Sequence, residues 1–494
     1  MERATENLPD GETMTGHALT PRERWLAFAI LCLGDIMIVL DSTIVNVALP
    51  TIRESLGFTE TELVWVVNAY LLTFGGFMLL GGRMADLYGQ RLLFLIGIVV
   101  FTASSAACGL AVTQEMLVIA RAVQGLGGAV VSAVALSLIM NLFPDGPERV
   151  RAMGYFGFVM AGGGSVGVLL GGVLTGSLDW RSIFLVNLPI GGLVFFLALR
   201  LLPEGRSESA SRHLDVAGAV AITASLLLAV YAVVNGEEAG WASAQTLGMI
   251  AAAVVLLLVF LVIEGHVKAP LVPLGLFRLR NISVSNVVGV LWAAAMFAWF
   301  FLSALYMQLV LGYGPMQVGL AFLPSNLIMG AFSYSLSAKM VNRFGIRRPL
   351  AWGLLCAAAG LALFAMAPAN GSFVVHVLPS MLLLGVGAGM AFNPVLLAAM
   401  SDVEPKDSGL ASGIVNTSFM MGGSLGLAVL ASLAAIATKS ALANGASTPE
   451  ALTAGYSVAF WVGAGCAALA AALGGVLLRE RPHGEGEPAP AAMH

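Results

Sequence analysis

Three ionisable residues stand inside long apolar stretches, Asp35 and Asp41 in one and Arg121 in another. An unpaired charge in the membrane interior is costly, so such residues face a cavity or pair with an opposite charge. Counting about 1.5 Å per helical residue places Asp41 and Arg121 in the same third of the membrane, so the two can pair. A buried carboxyl group beside a guanidinium can bind and release a proton if the pair opens. Asp41 and Arg121 are therefore candidates for proton coupling; a fixed structural ion pair, or a hydrated Asp41, is the alternative.

Asp35 precedes Asp41 by six residues, which places it on a helix face about 120° away. The two carboxyl groups can therefore have different tasks. Its depth in the stretch makes Asp35 a candidate for holding a cationic substrate or a second proton. A polar lining role in a hydrated cavity stays equally open.

The composition restricts the class of protein that can contain these charges. Of the 494 residues, 58% are hydrophobic and 11% are charged, and the mean hydropathy is +0.90, which excludes a water-soluble enzyme. With 24 Lys and Arg against 28 Asp and Glu, no basic excess indicates a nucleic-acid partner. No phosphate-binding loop occurs, and the histidines and cysteines form no metal or redox pattern, so we expect no nucleotide, cofactor or metal. The sequence does not predict a protein partner.

Fourteen membrane spans are predicted from windows of roughly 20 apolar residues. They lie at about 25–48, 62–82, 91–111, 117–141, 152–176, 182–202, 214–235, 246–264, 283–309, 316–339, 348–367, 373–400, 408–435 and 456–478. Nearly all Lys and Arg fall in loops on one side, with Arg53, Arg181 and Lys439 as the exceptions outside the spans. The positive-inside rule then places both termini in the cytoplasm. The Arg-rich, Ala-rich and Gly-rich composition is typical of a GC-rich bacterial genome, so the predicted location is a bacterial inner membrane.

An internal repeat divides the predicted spans. The segment from Gly81 to Arg91 and the segment from Ser337 to Arg347 share the pattern small, small, basic, Met, aliphatic, Asp/Asn, any, aromatic, Gly, any, Arg. Parallel repeats of this kind are typical of transporters that bind substrate between two lobes. The prediction is an all-α membrane protein with a cytoplasmic segment (1–24), a six-helix lobe (25–202), a linker with an inserted two-helix hairpin (203–265), a linker with a second six-helix lobe (266–478) and a cytoplasmic tail (479–494).

Several motifs resemble a known family. They are Leu40 to Pro50, Gly82 to Arg91, Leu117 to Ala129 with Arg121, Gly157 to Gly172, Trp180-Arg181 and Asn187-Leu188-Pro189. In this order they resemble the major facilitator superfamily, specifically its fourteen-span drug:proton antiporters of the EmrB/QacA type. That family usually has Gly-Pro where this chain has Gly167 and Val168. The resemblance implies that the protein is a secondary transporter and not an enzyme. Such a transporter exports lipophilic cationic or neutral compounds in exchange for protons.

The motif from Gly82 to Arg91 is predicted to form a cytoplasmic turn. Gly82 and Gly89 permit close approach and tight turning, Asp86 can cap or pair at the next helix, and Arg91 can anchor that helix. The resemblance implies a latch that holds the two lobes together. The alternative is that these residues are only positive-inside anchors.

Glycines recur every four residues at Gly163, Gly167 and Gly171, and Gly172 follows directly. This spacing lets two membrane helices pack closely. The resemblance adds a role in separating the lobes and resisting proton leakage, although a dimer interface would use the same chemistry.

Proton-coupled export is thus the predicted function, with small lipophilic molecules, protons and membrane lipids as the partners. A proton-coupled symporter that imports a small solute is the main alternative. A lipid-moving protein or a membrane scaffold is a further one, against which the buried charges argue.

Overall fold

The computed structural model describes residues 20–143, 147–202, 214–403 and 408–480. Most of the predicted N-terminal segment, most of the linker after residue 202 and nearly all of the tail lie outside these residues. All regular secondary structure within them is helical.

The first part of the chain, called the N-terminal half, contains seven helices among its described residues. They are α1 (Pro21–Leu56), α2 (Val64–Tyr88), α3 (Gln90–Gly109), α4 (Gln114–Leu142), α5 (Pro147–Ser177), α6 (Ser182–Leu185) and α7 (Asn187–Leu201). Two further helices follow, α8 (Val216–Ala239) and α9 (Ala244–His266).

The C-terminal half contains the remaining helices. They are α10 (Arg280–Leu305), α11 (Pro315–Ala331), α12 (Ser337–Phe344), α13 (Arg347–Ala365), α14 (Leu378–Met400), α15 (Ser408–Ala443) and α16 (Thr448–Leu477). Three π-helical turns, which the sequence did not predict, adjoin α10, α11 and α14 at Tyr306–Val310, Phe332–Leu336 and Phe373–Val377.

Helix α1 is longer than the predicted span 25–48. Thr20 caps its first turn through a capping box with Glu23, and Gly57 ends it in the left-handed conformation (φ 73°). Pro50 lies inside the helix and does not end it. Asp41 therefore lies about 22 Å from the end of α1 at Leu56, which is nearer the middle of the bundle than the sequence predicted. We call the two faces of the bundle the Pro21 side and the Leu56 side, after the ends of α1.

Among the described residues, 12 helices are long and apolar enough to cross a membrane. Two predicted spans, 152–176 and 316–339, are not among them. Of the described side chains of α5, those of Gly163–Ser177 form an apolar helical stretch, and α11 has 17 residues before a π-helical turn interrupts it.

The repeated motif has the same geometry in both halves. Gly89 and Gly345 occupy equivalent positions and both have positive φ (104° and 77°), where glycine is favoured. Arg91 at the start of α3 donates to the carbonyl of Leu199 on α7. Arg347 at the start of α13 donates to the carbonyl of Gly475 on α16, at 2.9 Å from its Nε. In each half, therefore, an arginine joins the corresponding pair of helices.

The two halves meet along two seams, one between α2 and α15 and the other between α5 and α11. At the first seam, Asn68 donates from Nδ2 to the carbonyl of Ser424 at 2.9 Å. At the second, a methyl group built on Gly172 would lie 2.9 Å from the Pro315 carbonyl oxygen. Between the seams, Gln308 donates to the carbonyl of Val47 on α1 at 2.9 Å.

Helices α8 and α9 pack on each other beside the α2–α15 seam. Helix α8 touches both halves, because Thr223 packs against Gly76 of α2 and Ser432 of α15 donates to the carbonyl of Val233 at 3.2 Å. Most of the apolar side chains of α9 are exposed, which is the expected surface of a helix in contact with lipid.

Candidate functional site

Asp41 and Arg121 form an ion pair inside the N-terminal half, where α1 crosses α4. The Arg121 guanidinium donates from Nη1 to Oδ2 of Asp41. The two side chains are 0% and 1% exposed. The pairing that the sequence allowed is therefore present, and Asp41 is enclosed in protein and not hydrated at a membrane surface.

Amide side chains complete the hydrogen bonding of Asp41. Its Oδ1 accepts from Gln124 Nε2 at 2.7 Å and from Asn187 Nδ2 at 3.0 Å. Asn187 also donates to the hydroxyl of Ser105 at 3.0 Å. Helices α1, α3, α4 and α7 each contribute a side chain to this network. A change in the charge of Asp41 therefore alters hydrogen bonds that join four helices of the N-terminal half.

Arg121 has further partners besides Asp41. It donates from Nε to the carbonyl of Val66 at 2.9 Å and from Nη1 to Gln124 Oε1 at 2.7 Å. Its guanidinium carbon lies 4.4 Å from the centre of the Tyr70 ring, which stabilises the cation. Gly125 permits this arrangement because a methyl group there would collide with the carbonyl oxygen of Tyr70 on α2.

The chemistry available to this network follows from its enclosure. A buried ion pair is stable only while both partners are present and hydrogen-bonded, and loss of either charge leaves the other one unpaired. Protonating Asp41 would therefore release Arg121 from its main partner. The network can couple binding of one proton to a rearrangement of helices.

Asp35 lies elsewhere in the interior of the N-terminal half. It is 0% exposed, and neither of its oxygens accepts a hydrogen bond from the described residues. It is not among the hydrogen-bond partners of the Asp41–Arg121 pair, and its side chain is fully enclosed in this conformation.

The gate motif at Gly82 to Arg91 is more helical than predicted. Helix α2 continues to Tyr88, so Gly82 lies inside a helix and not in a turn. A methyl group on Gly82 would make only an ordinary contact, at 3.8 Å from Cβ of Ala133. Gly89 alone forms the turn, and the Asp86 side chain lies outside what the structure describes.

Arg91, at the start of α3, donates to the carbonyl of Leu199 on α7 of the same half. Arg83 reaches beyond that half, because it donates to the carbonyl of Pro270 at 3.1 Å, in the segment between α9 and α10. Arg83 therefore contacts a residue outside the N-terminal half, and the sequence did not predict it as a site residue.

The glycine stripe on α5 faces α1. Methyl groups on Gly163, Gly167 and Gly171 would lie 3.2 Å from Cγ1 of Val39, 3.1 Å from the carbonyl oxygen of Leu40 and 2.8 Å from that of Ile44. These three glycines therefore pack two helices of one half. Gly172 alone points to the other half, where it meets α11.

The C-terminal half contains a small apolar pocket between α10, α14 and α15. Its lining residues are Gly289, Trp292, Phe392, Val395, Leu396, Val415, Asn416 and Phe419. Phe392 is 37% exposed, and its ring lies edge-on to that of Phe419 at 5.7 Å. The indole nitrogen of Trp292 is buried without a hydrogen-bond partner among the described residues, and the surface that faces the pocket is entirely apolar.

The sequence did not predict Gln124, Asn187 or Ser105 as site residues. An amide next to a motif arginine, as Gln124 is to Arg121, was the available signal for the first. Ser105 carried no signal, because a serine in a small-residue helix is common.

The family model described as Major Facilitator Superfamily matches residues 31–427. The puromycin resistance protein pur8 of Streptomyces alboniger is 35% identical over 476 residues, which cover 95% of this chain and 94% of that protein. The cephamycin export protein CmcT of Amycolatopsis lactamdurans is 38% identical over 440 residues, covering 88% and 90%. The multidrug resistance protein Stp of Mycobacterium tuberculosis is 36% identical over 416 residues, covering 84% and 76%.

Solved structures share the fold at low sequence identity. The POT family transporter PepTSo has a TM-score of 0.68 at 15% identity and covers 92% of this chain and 97% of that one. The inward-open xylose transporter XylE from E. coli has a TM-score of 0.61 at 16% identity, covering 93% and 98%. Motifs, fold and relatives agree: the chain is a polytopic membrane protein and a secondary transporter, not an enzyme, and it belongs to the Major Facilitator Superfamily.

Proposed function

We propose that this protein exports lipophilic cationic or neutral compounds from the cytoplasm in exchange for protons, by alternating access. The observation that carries the proposal is the enclosed Asp41–Arg121 pair, whose charge depends on one proton. The names of the relatives, which include resistance and export proteins for puromycin, cephamycin and lincomycin, support small-molecule antibiotics as the substrate class.

The proposed architecture has fourteen spans in a bacterial inner membrane, with both termini in the cytoplasm. Helix α5 is 31 residues long, and α11 continues through a π-helical turn into α12, so each has enough helical length for a crossing of roughly 20 residues. The lobes are residues 25–202 and 266–478, and α8 and α9 form the inserted hairpin of the segment 203–265. The Leu56 side is then periplasmic.

In the proposed cycle, Asp41 takes a proton when the protein opens to the periplasm and loses it to the cytoplasm as substrate binds. Arg121 stabilises the ionised form. Gly82, Asp86, Gly89 and Arg91 form a cytoplasmic gate that closes when the periplasmic side opens. Gly163, Gly167 and Gly171 keep α5 against α1, so that the lobe moves as a unit, while Gly172 contacts α11 only in the closed periplasmic state.

The test uses everted membrane vesicles with a preset acidic lumen and a fluorescent pH indicator. Adding ethidium, puromycin or a neutral antibiotic to the outside is expected to collapse the gradient, because each molecule that enters the lumen expels protons. The rate should rise with substrate concentration and saturate. Vesicles that contain the Asp41→Asn variant at equal abundance should show no collapse.

A symporter that imports a solute would respond to substrate on the opposite side of the vesicle membrane. It would collapse the gradient when substrate is loaded in the lumen and not when it is added outside. That result, in vesicles shown to contain folded protein, would overturn export and favour import through the same fold.

The apolar pocket in the C-terminal half has room for no more than about one water molecule in the conformation described, and we propose that it widens when the lobes move apart and then receives the lipophilic part of the substrate. Replacing Phe419 with Ala removes one aromatic wall, and we expect the KM for ethidium to rise about tenfold, which corresponds to about 1.4 kcal/mol. Phe196→Ala is the matched control, because Phe196 is 66% exposed on α7. An unchanged KM in the Phe419→Ala variant would place the substrate elsewhere.

A further inference from the structure

Asp35 is a buried carboxyl group to which the proposed cycle gives no role. Its side chain is 0% exposed, and both carboxyl oxygens lack a hydrogen-bond partner among the described residues. It forms no ion pair with any residue that the structure describes. This differs from Asp41, both of whose oxygens are satisfied.

The groups that face Asp35 come from the elements packed around α1. Cys32 lies one turn earlier on α1 itself, Tyr70 lies on α2, and the hydroxyl of Ser132 on α4 is the neighbouring polar group. Next to it, Gly34 packs on the ring of Phe94 of α3 at 3.0 Å from the position of an added methyl group. None of these groups is a cation, so an ionised Asp35 would have no compensating charge.

We propose that Asp35 is a second proton-binding site, which is protonated in the conformation described and which makes the exchange two protons for one substrate molecule. The first proton of the pair is carried by Asp41. Asp35 receives its proton from the periplasmic side and releases it to the cytoplasm when the lobe rearranges. No covalent bond other than O–H is made or broken. The inference rests on the proposed function, since it assigns the stoichiometry of that same exchange.

Tyr70 connects the two carboxyl groups. Its ring covers the Arg121 guanidinium at 4.4 Å, and its hydroxyl is buried without a hydrogen-bond partner among the described residues. Tyr70 interacts electrostatically with Asp35 as well as with Asp41 and Arg121. Because Tyr70 contacts Arg121 and also lies near Asp35, opening of the Asp41–Arg121 pair would change the surroundings of Asp35 through this ring.

The experiment measures stoichiometry in proteoliposomes with purified protein. The membrane potential is held at zero with potassium and valinomycin, and ethidium is allowed to reach its steady distribution at several pH differences. At equilibrium the logarithm of the ethidium ratio rises with the pH difference with a slope equal to the number of protons exchanged. We expect a slope of two for the wild type and one for Asp35→Asn.

Two controls make the result interpretable. Glu54→Gln removes an exposed carboxyl group from the same helix and should keep a slope of two. Asn resembles a neutral carboxylic acid in shape, so Asp35→Asn should have the melting temperature of the wild type, whereas Asp41→Asn should melt lower.

Each other outcome has a defined meaning. A wild-type slope of one, or a slope of two in Asp35→Asn, overturns the second site and leaves antiport intact. Absence of any ethidium accumulation in the wild type counts against the proposed function itself.

Discussion

Asp41→Asn and Arg121→Gln are each expected to abolish proton-coupled transport and to destabilise the protein, while the double variant recovers stability alone. Either single change leaves one buried group without its partner, which typically reduces the free energy of unfolding by about 3 to 5 kcal/mol. In the double variant no uncompensated charge remains, and Gln124 and Asn187 can still bond to residue 41. The measurements are melting temperature in detergent and substrate-driven collapse of a pH gradient.

The double variant separates a proton site from a structural ion pair. If the pair only holds helices together, restoring stability restores transport as well, and recovery of gradient collapse in the double variant would falsify the coupling role. Glu54→Gln serves again as the control for loss of a carboxyl group, because this exposed residue on α1 has no place in the network.

Gly172→Val is expected to inhibit transport strongly while leaving the protein folded. A methyl group at Gly172 would already lie 2.9 Å from the Pro315 carbonyl oxygen and 3.1 Å from Cα of Met316. Overpacking of this kind typically costs 1 to 3 kcal/mol, which shifts the balance between closed and open periplasmic states by roughly 5- to 150-fold. We expect faster labelling of a cysteine placed at Gly176 by an impermeant maleimide, and slower efflux.

Gly192→Val is the matched control, because nothing lies within 4 Å of a methyl group at that position. It should transport and label at the wild-type rate. Wild-type transport by Gly172→Val would mean that α5 and α11 do not need to approach this closely during the cycle.

The central ion pair was predictable because charges in apolar stretches are few. With Asp41 and Arg121 at compatible depths, the cost of an unpaired charge leaves few arrangements. The repeat was predictable for a related reason, since the Gly89 and Gly345 turns and the Arg91 and Arg347 anchors require particular residue types at fixed positions.

Other features depend on packing that no local pattern records. The partners Asn187 and Ser105 come from helices distant in sequence, and their side chains are common in membrane helices. The stripe at Gly163, Gly167 and Gly171 predicted close packing, but not that α1 is the partner. The end of α2 was misplaced because its last turns are polar, and polar residues also form helices once they leave the hydrocarbon.

Because of the position of α8, the two seams differ in their exposure to the lipid bilayer. At the α2–α15 seam this helix stands between the halves and the lipid, with Thr223 against one half and Val233 accepting from Ser432 of the other. At the α5–α11 seam the described helix that touches both sides is α1, which is largely buried in the bundle. We therefore expect lipid acyl chains to contact the α5–α11 seam directly, whereas α8 separates them from the α2–α15 seam. Membrane thickness and lipid composition accordingly act on the conformational equilibrium mainly from the flank that carries Gly172.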